Sequence, residues 1–438
     1  MGPLNFRGWV EKLRANGELA EAKKPLSSHL EAAAFIKELE PKPTLLHVEG
    51  YSEIPVAANI CASRNLIAEY LNIQPNQIVA KLLDAIEHPT KPQPTDNAPC
   101  FEISEKQVDL NQIPLLFHAE KDGGKYISSA VVIASHPEHG QNVSFHRLMQ
   151  IGKDEMAIRI LPRHLHTFVE KSKGDLPIAI CIGNTPNVLL AGACSVELGR
   201  DELEIANTLE PLQVAKCAEA NCYVPAETEY VLVGRITGQM HEEGPFIDLT
   251  ETYDLIRSQH IVKVDRIYHR ERPIYHALVP GGLEHKVLMG TPREPTIYRE
   301  VSKVCECADV YVTPGGASWL HAIVKIRKKH EDDPRKAIEA AFKGHTSLKH
   351  VLIVDEDTNL TDPLDVEWAF ATRFQGDRGI VIKAGETGSS LDPSADPETR
   401  KTTKVGFDAT KPLQVKGKNF EKAKLYQLKH SVNYYLET

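Results

Sequence analysis

Apolar residues recur at helical spacing at the start of the chain and give way to short alternating runs in its middle. Phe6, Trp9 and Leu13 share one side of a helix predicted over residues 5–16, with Gly17 just beyond its end. A second helix is predicted over 30–39, and strands over 44–48 and 54–59. Strands and helices alternate to about residue 87, the rhythm of a small α/β unit. The polar, proline-rich stretch 88–95 reads as a linker.

From about 98 to 290 short strands dominate, predicted at 130–134, 143–150, 156–161, 178–182 and 230–236. Gly152-Lys153-Asp154 reads as a hairpin turn, and helices are predicted at 162–171 and 201–209. Beyond 295 the α/β rhythm returns, with strands at 308–312, 323–326 and 350–355. Asp333-Pro334 and Asp362-Pro363 each supply a cap and a first-turn proline for a helix. Residues 384–404 read as a long loop, and 419–429 as a final helix suited to docking on another subunit. The predicted fold is mixed α/β. It comprises an N-terminal α/β unit (1–97), a central barrel-like β domain (98–294), a C-terminal α/β domain (295–415) and a helical tail (416–438).

At roughly 150 residues per domain, 438 residues agree with three domains. The formal charge of -9 argues against a nucleic-acid partner. No apolar stretch approaches the ~18 residues of a membrane-spanning helix, and the first residues lack a signal-peptide core, so a cytoplasmic protein is expected. The eight cysteines form no C-x-x-C pair and are expected to be reduced thiols. Cys305 and Cys307 would share a face only within a strand.

Four segments could carry chemistry. Asn142-Val143-Ser144-Phe145-His146-Arg147 offers an amide oxygen for a hard cation and a forked donor for an anion; a turn asparagine followed by a surface arginine explains it equally well. Arg163-His164 sits at a predicted helix N-terminus, which favours anions. Glu202 opens another helix, where the macrodipole alone accounts for a carboxylate. In Glu242-Glu243-Gly244-Pro245-Phe246-Ile247-Asp248-Leu249-Thr250 a turn separates two acids and could bring both to one cleft; an ordinary acidic loop is the alternative.

These segments, in this order, resemble the UbiD family of reversible decarboxylases, which use prenylated FMN. Glu243-Gly244-Pro245-Phe246 is the most specific piece. Support comes from Val224-Pro225-Ala226-Glu227-Thr228-Glu229, from 368–373, and from Ser390-Leu391-Asp392-Pro393 leading to 403–410. The resemblance covers about residues 5–415 and implies a split β-barrel flavin-binding domain at 98–294 and a C-terminal oligomerisation domain. It places a metal triad on Asn142, His164 and Glu202, holding Mn²⁺ (or Mg²⁺) against the cofactor phosphate, with Glu229 outside the triad. It places K⁺ near the carbonyls of Ala193 and Cys194. Ser144, Phe145, His146, Arg147, Arg163 and Lys404 complete the expected cofactor site, Lys404 pairing with the phosphate.

The family's catalytic triad falls on Arg147, Glu243 and Asp248, the last an aspartate where the family usually has glutamate. The resemblance implies that Arg147 orients the substrate carboxylate, Asp248 donates the proton and Glu243 tunes the pair. Ile160 and Leu249 are expected in an apolar wall. An archaeal branch of the family decarboxylates trans-anhydromevalonate 5-phosphate, and such a substrate calls for an extra cation, Arg163 or His146. A flavin prenyltransferase would supply the cofactor, and a homo-oligomer is expected. The alternatives are a decarboxylase of aromatic or hydroxyaromatic acids, a plain FMN oxidoreductase and a non-catalytic partner subunit.

Overall fold

The expected first helix forms with both predicted ends as caps. α1 (Phe6–Ala15) buries Phe6, Trp9, Val10 and Leu13, and the Asn5 side chain accepts from the Gly8 N–H at 2.8 Å. The computed structural model describes residues 4–414 and, in the tail, 417, 420, 422, 423 and 428–436. A helix at Glu31–Glu38 and strands at Thr44–His47 and Pro55–Ala58 follow. These strands belong to a four-stranded sheet whose last member, Tyr275–His276, comes from far downstream and pairs parallel with Pro55–Ala58. The stretch 88–95 is pinned rather than free. Gln93–Pro94 pairs parallel with Gln213–Cys217, and Thr90 bonds to Thr208 at 2.8 Å.

The central sheet contains β1 (Tyr126–Ile127), β2 (Val131–His136), β3 (Gly140–Phe145), β4 (Leu148–Gln150), β5 (Glu155–Ile158), β6 (Asp175–Ile182) and β7 (Tyr230–Glu243). A two-stranded hairpin, β8 (Phe246–Ile247) with β9 (Tyr253–Asp254), follows it, and β10 (Arg257–His269) returns to the sheet. The order is β1-β4-β5-β10-β7-β6-β2-β3, with Ile103–Glu105 added on β10. The end strands β1 and β3 do not pair, so the barrel-like sheet is split rather than closed.

Both faces of this sheet are covered, so its strands are apolar at successive positions. Val131, Ile133, Ala179, Cys181, Val231 and Val233 enter one core; Val132, Ala134, Ile178, Ile180, Leu232 and Ile236 enter the other. Each such valine, leucine or isoleucine contributes about 1.5–3 kcal/mol of burial.

Two departures from the predicted strands position chemistry. The stretch 143–150 breaks at His146-Arg147 into β3 and β4. The strand predicted to end at 236 runs on to Glu243 through two register shifts. At the first shift a Cβ on Gly234 would lie 2.1 Å from the Lys263 carbonyl oxygen, so only glycine fits.

The predicted helices at 162–171 and 201–209 become α2 (His164–Ser172) and α3 (Glu202–Leu209). Asp201 caps α3, accepting from the Leu203 N–H at 2.9 Å. α4 (Leu283–Gly290) leads into the C-terminal unit. There a five-stranded sheet runs in the order Glu306–Val312, His321–Arg327, His350–Asp355, Lys401–Ala409, Ile380–Thr387. Asp362 caps its helix as predicted. Asp333 does not: Asp332 holds the cap position, and the Asp333 carboxylate accepts instead from the N–H groups of Lys329 and His330.

The loop predicted over 384–404 shortens to 388–400, because both its flanks pair as strands. The predicted helix 419–429 lies largely outside the described residues, and the described helix of the tail is Val432–Leu436. All eight cysteines are free, and Cys305 precedes the strand that holds Cys307, so the two do not share a strand face. No helix among the described residues is long and apolar enough to cross a membrane.

α1 is tied to the centre by Arg7, whose Nε and Nη2 donate to the wholly buried Glu229 at 2.9 Å each. The Ile274 N–H donates to the same carboxylate. Glu229 therefore holds elements together. Glu229→Ala is expected to cost about 2–3 kcal/mol, read as a lower Tm by calorimetry with unchanged flavin binding.

Candidate active site

A cleft of about 550 Å³ lies where the ends of the central strands meet α4 and the 388–400 loop. Its floor is an arginine held by three carboxylates. Arg147, presented by the break between β3 and β4, donates from Nε to Glu243 at 2.9 Å and from Nη2 to the other Glu243 oxygen at 3.1 Å. Nη1 donates to Asp248 at 3.2 Å, and Nη2 also to Asp254 at 3.0 Å. Glu243 is wholly buried and accepts a further bond from the Tyr126 hydroxyl at 3.1 Å. Phe246 lies under the guanidinium, 4.7 Å from ring centroid to carbon. The turn that delivers the acids is packed backbone to backbone: a Cβ on Gly123 would sit 2.2 Å from the Gly244 carbonyl oxygen.

Burial by itself would lower the Arg147 pKa, but the charges of Glu243, Asp248 and Asp254 outweigh it and push the pKa up. Burial likewise works against the Asp254 carboxylate, yet bonds and charges from Arg257 and Arg147 hold its pKa below the usual range. Arg159 lines the cleft 3.8 Å from Asp254.

The expected metal ligands meet in the same cleft. Asn142, His164 and Glu202 all line it, from β3, the first residue of α2 and the first residue of α3. A relay fixes the asparagine. Its amide nitrogen donates to Ser144 Oγ at 2.9 Å, and Ser144 Oγ lies 3.0 Å from His146 Nε2. His146 Nδ1 lies 2.9 Å from the Arg159 carbonyl oxygen. That carbonyl can only accept, so Nδ1 carries the proton and Nε2 accepts from the serine hydroxyl. No hydrogen bond to the Asn142 side-chain carbonyl oxygen is found among the described residues. Glu202 accepts from the Val143 N–H at 2.7 Å through one oxygen, and burial pushes its carboxyl up to about 8. An amide oxygen, an imidazole and a buried carboxyl needing a positive neighbour suit a hard divalent ion such as Mn²⁺ or Mg²⁺. A separate trio, His136, Glu138 and His139, has ligand atoms within 4.8 Å of one another, but it sits on the β2–β3 turn, where Lys171 donates to Glu138 at 2.7 Å.

Phe145, Arg163 and Cys194 also line the cleft. Three expectations change. Lys404 does not line the cleft; its ammonium donates to the Thr346 carbonyl and lies over the Phe342 ring. His146 is locked between Ser144 and Arg159, and burial pushes its pKa down to about 4, so it offers no cation to a phosphate. Ile160 belongs to a core cluster, while Leu249 lines the cleft as expected. The Ala193 carbonyl, expected beside K⁺, accepts from Arg293 Nη2.

Sequence reasoning missed Asp254, Arg159, Tyr126 and Arg293. Asp254 lies four residues beyond the acidic segment that was singled out and needs the β8–β9 hairpin to turn back toward Arg147. Arg293 follows α4 in a segment with no periodic signal.

Three family profiles cover almost the whole chain: the N-terminal (10–86), Rift-related (91–283) and C-terminal (286–409) domains of 3-octaprenyl-4-hydroxybenzoate carboxy-lyase. Fold and site together are those of a carboxy-lyase. The chain belongs to the UbiD family. It is 41% identical over 416 residues to an anhydromevalonate phosphate decarboxylase of Methanothermobacter thermautotrophicus, covering 93% of this chain and 97% of that one. The UbiD-class enzyme HmfF from Pelotomaculum thermopropionicum, solved with FMN, superposes with a TM-score of 0.94 at 36% identity, over 98% of this chain and all of that one. An evolved dimeric form of HmfF with prFMN superposes at 0.90 and 35%, over 99% and 100%.

His146 should remain neutral well below pH 6, since burial disfavours its charged form. Nitrogen-15 NMR is expected to find the proton on Nδ1 at pH 6, with protonation of Nε2 only near pH 4. A cationic ring at pH 6 would refute the relay.

Proposed function

We propose that this chain is a prenylated-FMN-dependent decarboxylase of trans-anhydromevalonate 5-phosphate, releasing CO₂ and isopentenyl phosphate. The observation that carries the reading is the buried Arg147 fork, bonded to Glu243, Asp248 and Asp254 on the floor of a cofactor-sized cleft. The 41% identity to a decarboxylase of that name supports the substrate.

Loss of CO₂ leaves electrons that no side chain can delocalise, and prenylated FMN, when bound, supplies that sink. Asn142, His164 and Glu202 would hold Mn²⁺ or Mg²⁺ against the cofactor phosphate. A potassium ion at 193–194 would compete with Arg293 for the Ala193 carbonyl. Arg147 orients the substrate carboxylate through Nη1, which makes one bond, to Asp248, and has a second hydrogen to give. Asp248, whose side chain is 21% exposed, takes up a proton from solvent and passes it to the product carbon. Glu243 is too deeply buried to reach substrate; it is a positioning residue that fixes Arg147 bidentately. Phe246, Leu249 and Leu278 exclude water from the carboxylate, which favours its loss.

The same reading includes domain boundaries near 97 and 294, a homo-oligomer assembled through the C-terminal unit, a cytoplasmic location and a flavin prenyltransferase as cofactor supplier.

Protein co-expressed with a flavin prenyltransferase is expected to release prenylated FMN, identified by mass spectrometry. Arg147→Ala and Glu243→Gln should retain the flavin and lose on the order of 10³-fold in kcat; full turnover by either overturns the role assignment.

Substrate identity is tested by comparing CO₂ release from trans-anhydromevalonate 5-phosphate and from hydroxybenzoates. Release from the phosphorylated acid alone is expected. Turnover of hydroxybenzoates with none of the phosphorylated acid would assign the aromatic class instead.

A further inference from the structure

Five arginines line the cleft: Arg147 and Arg159 face carboxylates, whereas Arg163, Arg293 and Arg400 form no ion pair among the described residues. Arg147 faces three carboxylates. Arg293 is 7% exposed, yet its partners are uncharged: Nη1 donates to Ser195 Oγ, Nη2 to the Ala193 carbonyl, and the plane lies over the Trp319 ring at 5.2 Å. Its Nε is buried with no hydrogen-bond partner among the described residues. The charged side chain that bears on it most is another cation, Arg163, which lines the same cleft and forms no ion pair among the described residues. Burial pushes the Arg293 pKa down to about 10, the response of a cation stripped of water and given no counter-charge. A buried guanidinium with no acid beside it suits an anion, and a phosphate matches its fork geometry; Arg163 adds a second, solvent-exposed cation to the same cleft.

The position of Arg293 says which anion. α4 begins beside the carboxylate end of the cleft, where His285 lies in the field of Asp248 and Arg147. Leu288 and Met289 line the cleft along the same helix, and Arg293 follows in the next turn. Eight residues separate His285 from Arg293, about 12 Å at helical rise. That interval, shortened by the reach of the Arg293 side chain, fits an acid whose carboxylate and phosphate are separated by a short carbon chain. Arg163 directly precedes His164, and the Ala193 carbonyl that Arg293 bonds is the one expected beside K⁺, so the two guanidiniums border the expected cofactor-phosphate site.

We propose that Arg293, assisted by Arg163, forms the subsite that receives the phosphate of the substrate and so selects phosphorylated enoic acids. The inference rests on the function proposed above. Arg293 is a specificity residue, since it touches the end of the substrate that does not react.

The test uses flavin-loaded holoenzyme and the variants Arg293→Met, Arg293→Lys and Arg163→Met. Three quantities are read: flavin content, affinity for isopentenyl phosphate and for isopentenyl alcohol by calorimetry, and the ratio of kcat/KM for phosphorylated over dephosphorylated enoic acid. Arg293→Met is expected to keep its flavin, bind isopentenyl phosphate on the order of 100-fold more weakly and lose the kcat/KM ratio by a similar factor. Arg293→Lys should recover part of both, and Arg163→Met should show a smaller loss of both. Loss of flavin in the Arg293 variants would mean that the pair serves the cofactor phosphate, and overturns the proposal. Equal weakening of phosphate and alcohol would mean a structural role, and also overturns it. Should Arg293→Met fail to fold, Arg293→Lys and Arg163→Met still decide, because wild-type discrimination by both would refute the subsite. Wild-type enzyme that binds isopentenyl phosphate through Arg293 but does not decarboxylate the phosphorylated acid would sink the proposed function and leave the subsite standing. Normal turnover with unchanged phosphate affinity in the variants would do the reverse.

Discussion

A buried guanidinium must be met by charge on every side that water has left. Arg147 meets this demand with Glu243, Asp248 and Asp254, and much of the central domain is arranged to bring those three acids to one point. Such a cluster would contribute little to stability by itself, because desolvation consumes most of the Coulomb energy. Its value is orientation. With Nε and Nη2 both fixed by Glu243, the plane of the arginine cannot turn, and the cleft always sees the same face.

The fold delivers these groups through interruptions of regular structure. Arg147 stands where one predicted strand breaks into two. Glu243 ends a strand that two register shifts bend toward the cleft, and the close passage of Gly123 over Gly244 holds the following turn. Asp254 returns on a hairpin only two residues wide on each side. Long regular strands bury the two cores; the irregular ends carry the chemistry. The metal ligands obey the same division, with His164 and Glu202 at the first positions of their helices.

That division also explains what was legible in the sequence. Helix α1 could be read to its caps because Phe6, Trp9 and Leu13 repeat at helical spacing and Asn5 and Gly17 bracket them. The core strands could be located because their apolar runs are local. The site could be placed at Asn142, Arg147, His164, Glu202, Glu243 and Asp248 through family order, and the structure brings all six together. Asp254 and Arg293 were not visible, since each joins the site through a fold-back that no local pattern encodes. Lys404 was misplaced because a lysine near a polar loop carries no mark of which way its side chain runs; here it runs to a carbonyl in the C-terminal unit. The stretch 88–95 has the composition of a linker, but a neighbouring strand 120 residues away pairs with it.

The strand Tyr275–His276 has a consequence for modularity. It completes the N-terminal sheet from the far end of the central segment, and Glu284, the second residue of α4, accepts the N–H groups of Asn59 and Cys61. A chain cut near residue 97 would therefore separate that sheet from its fourth strand and leave the buried Glu284 carboxylate with His276 but without its two backbone donors. The N-terminal unit and the cleft-forming α4 are sewn into one another, so recombination between relatives can exchange them only as a pair.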